Sequence, residues 1–167
     1  FTVLCDSFNI PLVRIMDTPG FVVGLEAERR GAPGHIMNFM NATCLTTVPQ
    51  ITLIARKAYG RAYVAMGGGA HNDTLVAWPM AEVSFMDPVF ATNIVHNLSA
   101  GQEGFEDALA HIQKDLEIWD MARIFSAHDV IKPQETRAFM IRMFEVHRRR
   151  RSGGLGQHLM RTWPTSV

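Results

Sequence analysis

Only two cysteines, Cys5 and Cys44, occur in 167 residues. They are too few for a secreted disulfide framework, and neither belongs to a metal-type CxxC pair. A reducing, cytoplasmic-type compartment is the expectation. An excess of one charge is also missing, because sixteen basic side chains balance sixteen acidic ones. No global field therefore favours nucleic acid or an anionic membrane surface. No apolar run reaches the ~18 residues of a membrane span, and no charged leader precedes a signal-like segment. His35, His71 and His96 are scattered and show no HExxH-type spacing, so they read as structural and no metal is expected. Gly67-Gly68-Gly69 lacks the spacing of a nucleotide-phosphate loop and reads as a flexible turn. What remains is a small-molecule or protein partner.

The chain is 47% hydrophobic, enough at this length to bury one core. Its organising stretch runs from Ile51 to Met66. Ile51 to Ala55 has the length and β-branched content of a buried strand, Arg56-Lys57 reads as a basic turn, and Gly60 to Met66 can wind as a helix. A strand that ends where a helix begins gathers unpaired backbone N–H groups at one spot. Such a spot holds an anion, or an oxygen that becomes one during a reaction.

In chain order, Phe1 to Asn9 reads as the end of a helix, with Val3, Leu4 and Phe8 at helical spacing and Pro11 blocking continuation. Ile10 to Met16 reads as a strand, and Asp17 to Gly20 as a loop at its carboxyl end, where open α/β sheets place their ligands. Gly24 to Gly34 has the composition of an exposed loop. His35 to Thr47 then supplies a helix with Ile36, Met37, Met40 and Cys44 on one face, making a parallel βαβ unit with the strand that follows. Beyond the glycines, Leu75 to Trp78 and Glu82 to Met86 read as short strands, and Asp87-Pro88 as a helix start.

Phe105, Ala108, Leu109, Ile112, Leu116 and Trp119 fall on one face of a long amphipathic helix. Pro133 opens a last helix whose Phe139, Met140, Met143 and Phe144 can share a face. Residues 1–147 thus form one α/β domain, and 148–167 a basic, flexible tail that begins with Arg148 to Arg151. Several residues allow two readings. Gly60 and Ala62 can be small only to let helix and strand pack closely. Asp17 at a strand end can be a general base, although a turn-forming or capping role suits it better. The basic tail can meet CoA phosphates or another subunit, although charge runs usually face solvent.

Five ordered motifs carry a family resemblance: LCDSFNIPL at Leu4 to Leu12, DTPGF at Asp17 to Phe21, TVPQITLIARKAYG at Thr47 to Gly60 followed by Ala62-Tyr63, AWPMAE at Ala77 to Glu82, and DVIKPQETR at Asp129 to Arg137. They span nearly all of the chain except its tail. Together they resemble the biotin-dependent acyl-CoA carboxyltransferases, in particular the β subunits of propionyl-CoA and acetyl-CoA carboxylases. The resemblance implies a crotonase-like fold of ββα superhelical units that occurs twice in the full polypeptide, this chain being a partial carboxyl-terminal copy truncated on its amino-terminal side.

In that family the second copy supplies the biotin side of an active site shared across a dimer interface. The reaction moves a carboxyl group from carboxybiotin to the α-carbon of an acyl-CoA. Charge builds on the ureido oxygen and on the thioester oxygen, and backbone N–H groups stabilise both. By resemblance the donors to the biotin oxygen are the N–H groups of Arg61 and Ala62, with Pro19, Gly20, Phe21, Gly60 and Val64 as pocket residues. Two departures stand out. The family usually has Gly at the position of Arg61, and propionyl-type relatives carry an acidic residue at that of Val64. The implied cofactor is biotin on a separate carrier protein, and the implied substrate is an acyl-CoA. Implied partners are the amino-terminal carboxyltransferase domain, a biotin carboxyl carrier or biotin carboxylase subunit, and further β subunits in a homo-oligomer. Two other readings remain open at this point: a biotin-independent crotonase-type decarboxylase or hydratase, and a non-catalytic assembly subunit whose pocket Arg61 fills.

Overall fold

The computed structural model describes residues 1–69, 71–150 and Leu159. Its centre is a single strand that pairs with three others. Strand β1 (Leu12–Thr18) lies parallel to β2 (Gln50–Tyr59), with Leu12 opposite Gln50 and Met16 opposite Ile54. The first half of β2 pairs in parallel with β3 (Thr74–Ala77), and its second half with β4 (Glu82–Ser84), so that Tyr59 faces Ser84. A two-residue strand β5 (Asp129–Val130) adds in parallel to β3, giving the order β1-β2-β3-β5 with β4 beside the far end of β2.

Parallel strands at the middle of such a sheet are covered on both faces, which is why Ile51 to Ile54 is continuously buried rather than alternating, Thr52 included. Ile54 joins Met16, Leu75 and Ile118 on one side, while Leu53 joins Val76, Ile131 and Phe139 on the other. Strand β1 sits at the sheet edge and alternates: Leu12, Arg14 and Met16 turn inward while Val13 and Ile15 stay exposed.

Helix α1 (Thr2–Ser7) precedes β1, and α2 (Leu25–Arg29) and α3 (Ala32–Leu45) connect β1 to β2 as the expected parallel crossover. Helix α4 (Gly60–Ala65) follows β2 directly. After β4 come α5 (Pro88–His96), α6 (Phe105–Lys114) and α7 (Ile118–Arg123), and α8 (Thr136–Val146) closes the described fold after a 3-10 turn over Pro133–Glu135.

Several expectations are corrected. Arg56-Lys57 is not a turn: β2 runs on to Tyr59 because β4 and the end of β1 continue to pair with it. The stretch from Gly24 to Gly34 is helical over α2 and from Ala32 onward, the two helices being separated by Gly31 at φ +72°. Ala42 and Thr43 are the buried residues of α3, whereas Met37 and Cys44 are exposed.

The long amphipathic helix is two helices. The chain breaks at Asp115 to Glu117 so that the Leu116 carbonyl can accept the Val83 N–H at 3.0 Å and Glu117 can bridge to Glu82. That pairing satisfies the outer end of β4, and it leaves Trp119 47% exposed. In α8, Phe139, Met140 and Met143 pack inward, but Phe144 is exposed. Leu4 and Phe8 of the first helical segment are also exposed, while Cys5 and Asp6 are buried. The glycine turn is packed, with Gly68 against the Tyr63 ring and Gly67 against Thr52 and Arg14. The basic tail starts within a 3-10 turn over His147–Arg150; beyond that turn and Leu159 it lies outside the described residues.

Candidate functional site

The carboxyl ends of β1, β2 and β4 converge on one apolar cavity of about 490 Å³. From β1 comes the loop Pro19, Gly20 and Phe21, and from β2 come Tyr59, Gly60 and Arg61. Opposite them, Phe85 follows β4 and Phe90 belongs to α5, while Ile36 of α3 and Ala27 of α2 close the side. Pro19, Gly20, Phe21, Gly60 and Arg61 are therefore brought together around one cavity. Ala62 is buried and Val64 half-buried, and neither side chain lines the cavity.

The junction between β2 and α4 has a specific backbone. Gly60 takes φ +62°, and a Cβ there would lie 3.1 Å from the Phe85 carbonyl oxygen. Only glycine meets both conditions without strain. Its positive φ lets an extended strand pass into a helix with no intervening loop. The burden falls on Gly60 alone, since Arg61 is not among the positive-φ residues. Arg61 thus occupies ordinary helical backbone, and its side chain projects from the first turn of α4 at the cavity wall.

Gly60, Arg61 and Ala62 are the first three residues of α4, and no side chain caps that end. Their N–H groups have no carbonyl one turn earlier in the helix. Helix α4 is held from behind: Thr43 Oγ1 donates to the Ala65 carbonyl at 3.2 Å, and the Gly69 N–H donates to the Tyr63 hydroxyl at 2.9 Å.

Two polar contacts brace the strand ends beneath the cavity. Asp17 accepts from Arg56 Nε at 3.2 Å and from the Lys57 N–H at 3.2 Å. The hydrogen bond from Arg56, followed by that from the Lys57 backbone, holds the Asp17 carboxyl below the usual carboxylate range. Asp17 is thus neither a free base nor the turn-forming or capping residue expected: it lies within β1 and its carboxylate is tied across to β2 rather than to its own turn. Tyr59, fully buried, donates its hydroxyl proton to Glu82, and burial followed by that carboxylate pushes its pKa well above the ordinary phenol value. Among the described residues no group of three metal-ligating side chains occurs.

Sequence reasoning missed the far wall of the cavity, Phe85, Met86, Asp87 and Phe90. The available signal was Asp87-Pro88, already recognisable as a helix start. The Asp87 carboxylate accepts from the Val89 N–H at 3.0 Å and the Phe90 N–H at 3.4 Å, and this cap fixes where Phe90 points. Val22 and Val23 also line the cavity and are strongly exposed.

Comparison with known proteins places this geometry in a family. The carboxyl transferase domain family matches residues 1–156. The methylmalonyl-CoA decarboxylase subunit alpha of Propionigenium modestum is 36% identical over 149 residues, covering 85% of this chain and 29% of that protein. The mitochondrial propionyl-CoA carboxylase beta chain of Homo sapiens is 39% identical over 141 residues, covering 83% of this chain and 25% of that protein. Among solved structures, the transcarboxylase 12S hexamer with methylmalonyl-coenzyme A and methylmalonic acid bound superposes with a TM-score of 0.85 at 33% identity, covering 92% of this chain and 30% of that one. The fold is the crotonase-like α/β fold of these carboxyltransferases. This chain spans under a third of the length of the curated relatives it matches. With a family match over almost its whole length, the chain belongs to the carboxyl transferase domain family.

Proposed function

We propose that this chain supplies the biotin side of an acyl-CoA carboxyltransferase, moving a carboxyl group between carboxybiotin and the α-carbon of an acyl-CoA. The observation that carries the reading is the uncapped first turn of α4 at an apolar cavity wall, held there by the left-handed Gly60. The N–H groups of Arg61 and Ala62 are the donors to the ureido oxygen as negative charge builds there. In an apolar site one such donor lowers the barrier by about 3–4 kcal/mol. The biotin ring packs against Phe21 and the Pro19-Gly20 turn, and Val64 acts from behind the wall rather than on it.

Residues of this chain that bind and orient are thus mostly backbone, and none of its carboxylates acts as the base. Biotin, carried by a separate protein, supplies the transferable carboxyl group when bound. Family membership supports the acyl-CoA as second substrate. Required partners are the amino-terminal domain of the fold, a biotin carrier or biotin carboxylase subunit, and further β subunits in a homo-oligomer, in a cytoplasmic-type compartment.

A second reading, acyl-CoA decarboxylation, is favoured by the name of the Propionigenium relative. One assay separates the two. The full polypeptide carrying this chain is given malonyl-CoA or methylmalonyl-CoA, with and without biocytin. Carboxyl transfer to biocytin supports the proposal, whereas carboxyl loss that is indifferent to biocytin supports decarboxylation and contradicts it.

A further inference from the structure

Strand β3 is buried along its length, and its first two residues are each held by a histidine from elsewhere in the chain. His128, between α7 and β5, receives the Leu75 N–H on Nδ1 at 2.8 Å. His147, which follows α8, places Nε2 2.8 Å from Thr74 Oγ1. The partners are 53 and 73 positions apart, so two distant parts of the chain are tied to one strand end.

The two contacts respond differently to a proton. A backbone N–H can only donate, so Nδ1 of His128 must offer a lone pair, and the ring is neutral while that bond stands. A proton on Nδ1 removes this acceptor from the N–H of Leu75, a residue with no exposed surface. The Thr74 hydroxyl can donate or accept, so its bond to His147 survives protonation. An imidazolium does not suit that site, however: burial, and then the charge of His128, hold the His147 pKa below the ordinary histidine value. We infer that His128 and His147 form an acid-released latch, which ties the α7–β5 link and the end of α8 to the start of β3 while both rings are neutral.

The charged groups on the surrounding elements have contacts of their own. Before β3, Asp73 accepts from the Gln50 N–H at 2.8 Å, and on β5, Asp129 accepts from the Val130 N–H at 2.9 Å. Arg123 at the end of α7 pairs with Asp120 at 2.6 Å. On α8, Glu145 pairs with Arg148 at 3.6 Å and Arg142 lies over the Phe139 ring. Because the folded pKa of His147 is depressed, the unfolded chain takes up this proton first as pH falls. The latch therefore contributes fully above the ordinary histidine value of about 6.5 and is lost as pH falls through it towards the lower folded value.

Release reaches the turn behind α4. Asn72, two residues before Thr74, donates to the Gly67 carbonyl, which also accepts from Thr52 Oγ1 at 3.3 Å. The next residue, Gly68, packs against the Tyr63 ring. Loosening of residues 72–75 thus slackens one support of that turn.

The test uses the full polypeptide and follows hydrogen exchange of the peptide containing Leu75 at about pH 7.5 and about pH 5.5, corrected for the intrinsic pH dependence of amide exchange. In the parent, exchange becomes more than about threefold faster at the lower pH. In the double variant His128→Asn/His147→Gln, side-chain amides stand where Nδ1 and Nε2 stood and do not titrate, so the change stays below about threefold. Should that variant fail to fold, the nitrogen-15 spectrum of the imidazoles in the parent decides instead, and it shows Nδ1 of His128 unprotonated at about pH 7.5. The inference is overturned by a smaller change in the parent, by a larger one in the folded variant, or by a proton on His128 Nδ1 at that pH. None of these readouts depends on carboxyl transfer.

Discussion

The Tyr59 hydroxyl donates to the Glu82 carboxylate, joining the last residue of β2 to the first residue of β4. Each residue belongs to a different motif of the resemblance, and their bond fixes the strand end from which α4 departs. Tyr59→Phe removes the donor and leaves a half-buried carboxylate short of a partner. The expected loss is about 1–3 kcal/mol of stability, measured by urea unfolding.

The same residue sets an alkaline limit. Because the pKa of Tyr59 is raised in the folded protein, the unfolded chain gives up this proton first. The stabilisation is complete below the ordinary phenol pKa of about 10 and is lost as pH rises above it. Unfolding measured between pH 9 and 11 should show a decline beginning near pH ~10 that is smaller in Tyr59→Phe.

Asp17 behaves in the opposite sense. Its pKa is lowered in the folded protein, first by Arg56, so its contribution is present above the unfolded carboxylate value of about 4 and is lost as pH falls through the lower folded value. Both partners of the pair are exposed, and the effect on stability is small. Asp17→Asn is therefore expected to keep carboxyl transfer within about threefold of the parent. A loss of the size expected for an essential general base, about 100-fold or more, would return Asp17 to the chemistry.

Gly60→Ala puts a side chain at φ +62° and within 3.1 Å of the Phe85 carbonyl. The expected cost is about 1–2 kcal/mol, visible in unfolding, together with slower transfer as the start of α4 shifts. Gly68→Ala acts through packing instead. Its Cβ would fall 2.4 Å from the Tyr63 ring, so the ring must move and its hydroxyl must release the Gly69 N–H. A loss of about 1–3 kcal/mol is expected there.

These residues also show what the sequence made legible. The strand at Ile51, the crossover to it and the helix after Gly60 were readable because burial on both sheet faces leaves a mostly apolar run broken only by Thr52, and a glycine marks the switch. Long-range pairing was not. The continuation of β2 through Arg56 and Lys57 depends on β4, and the break at Leu116 depends on Val83, so neither boundary has a local signal. Only Pro19, Gly20, Phe21, Gly60 and Arg61 of the cavity wall were legible from the motifs, whereas Phe85 and Phe90 reach it through the docking of β4 and α5. The exposure of Cys44 was hidden for a related reason: helical spacing cannot say which face of α3 has a partner.

Backbone N–H groups rather than side chains carry the proposed chemistry, and Ala62 tests this most directly. Transfer from methylmalonyl-CoA to biocytin should be measured for the full polypeptide with Ala62→Pro and with Ala62→Gly, both verified as folded by circular dichroism. Pro removes the N–H while Gly retains it. Ala62→Gly is expected to stay within about tenfold of the parent, while Ala62→Pro lowers kcat by about 100-fold or more. Equal rates for the two variants would contradict a donor role for this N–H and with it the proposed use of α4.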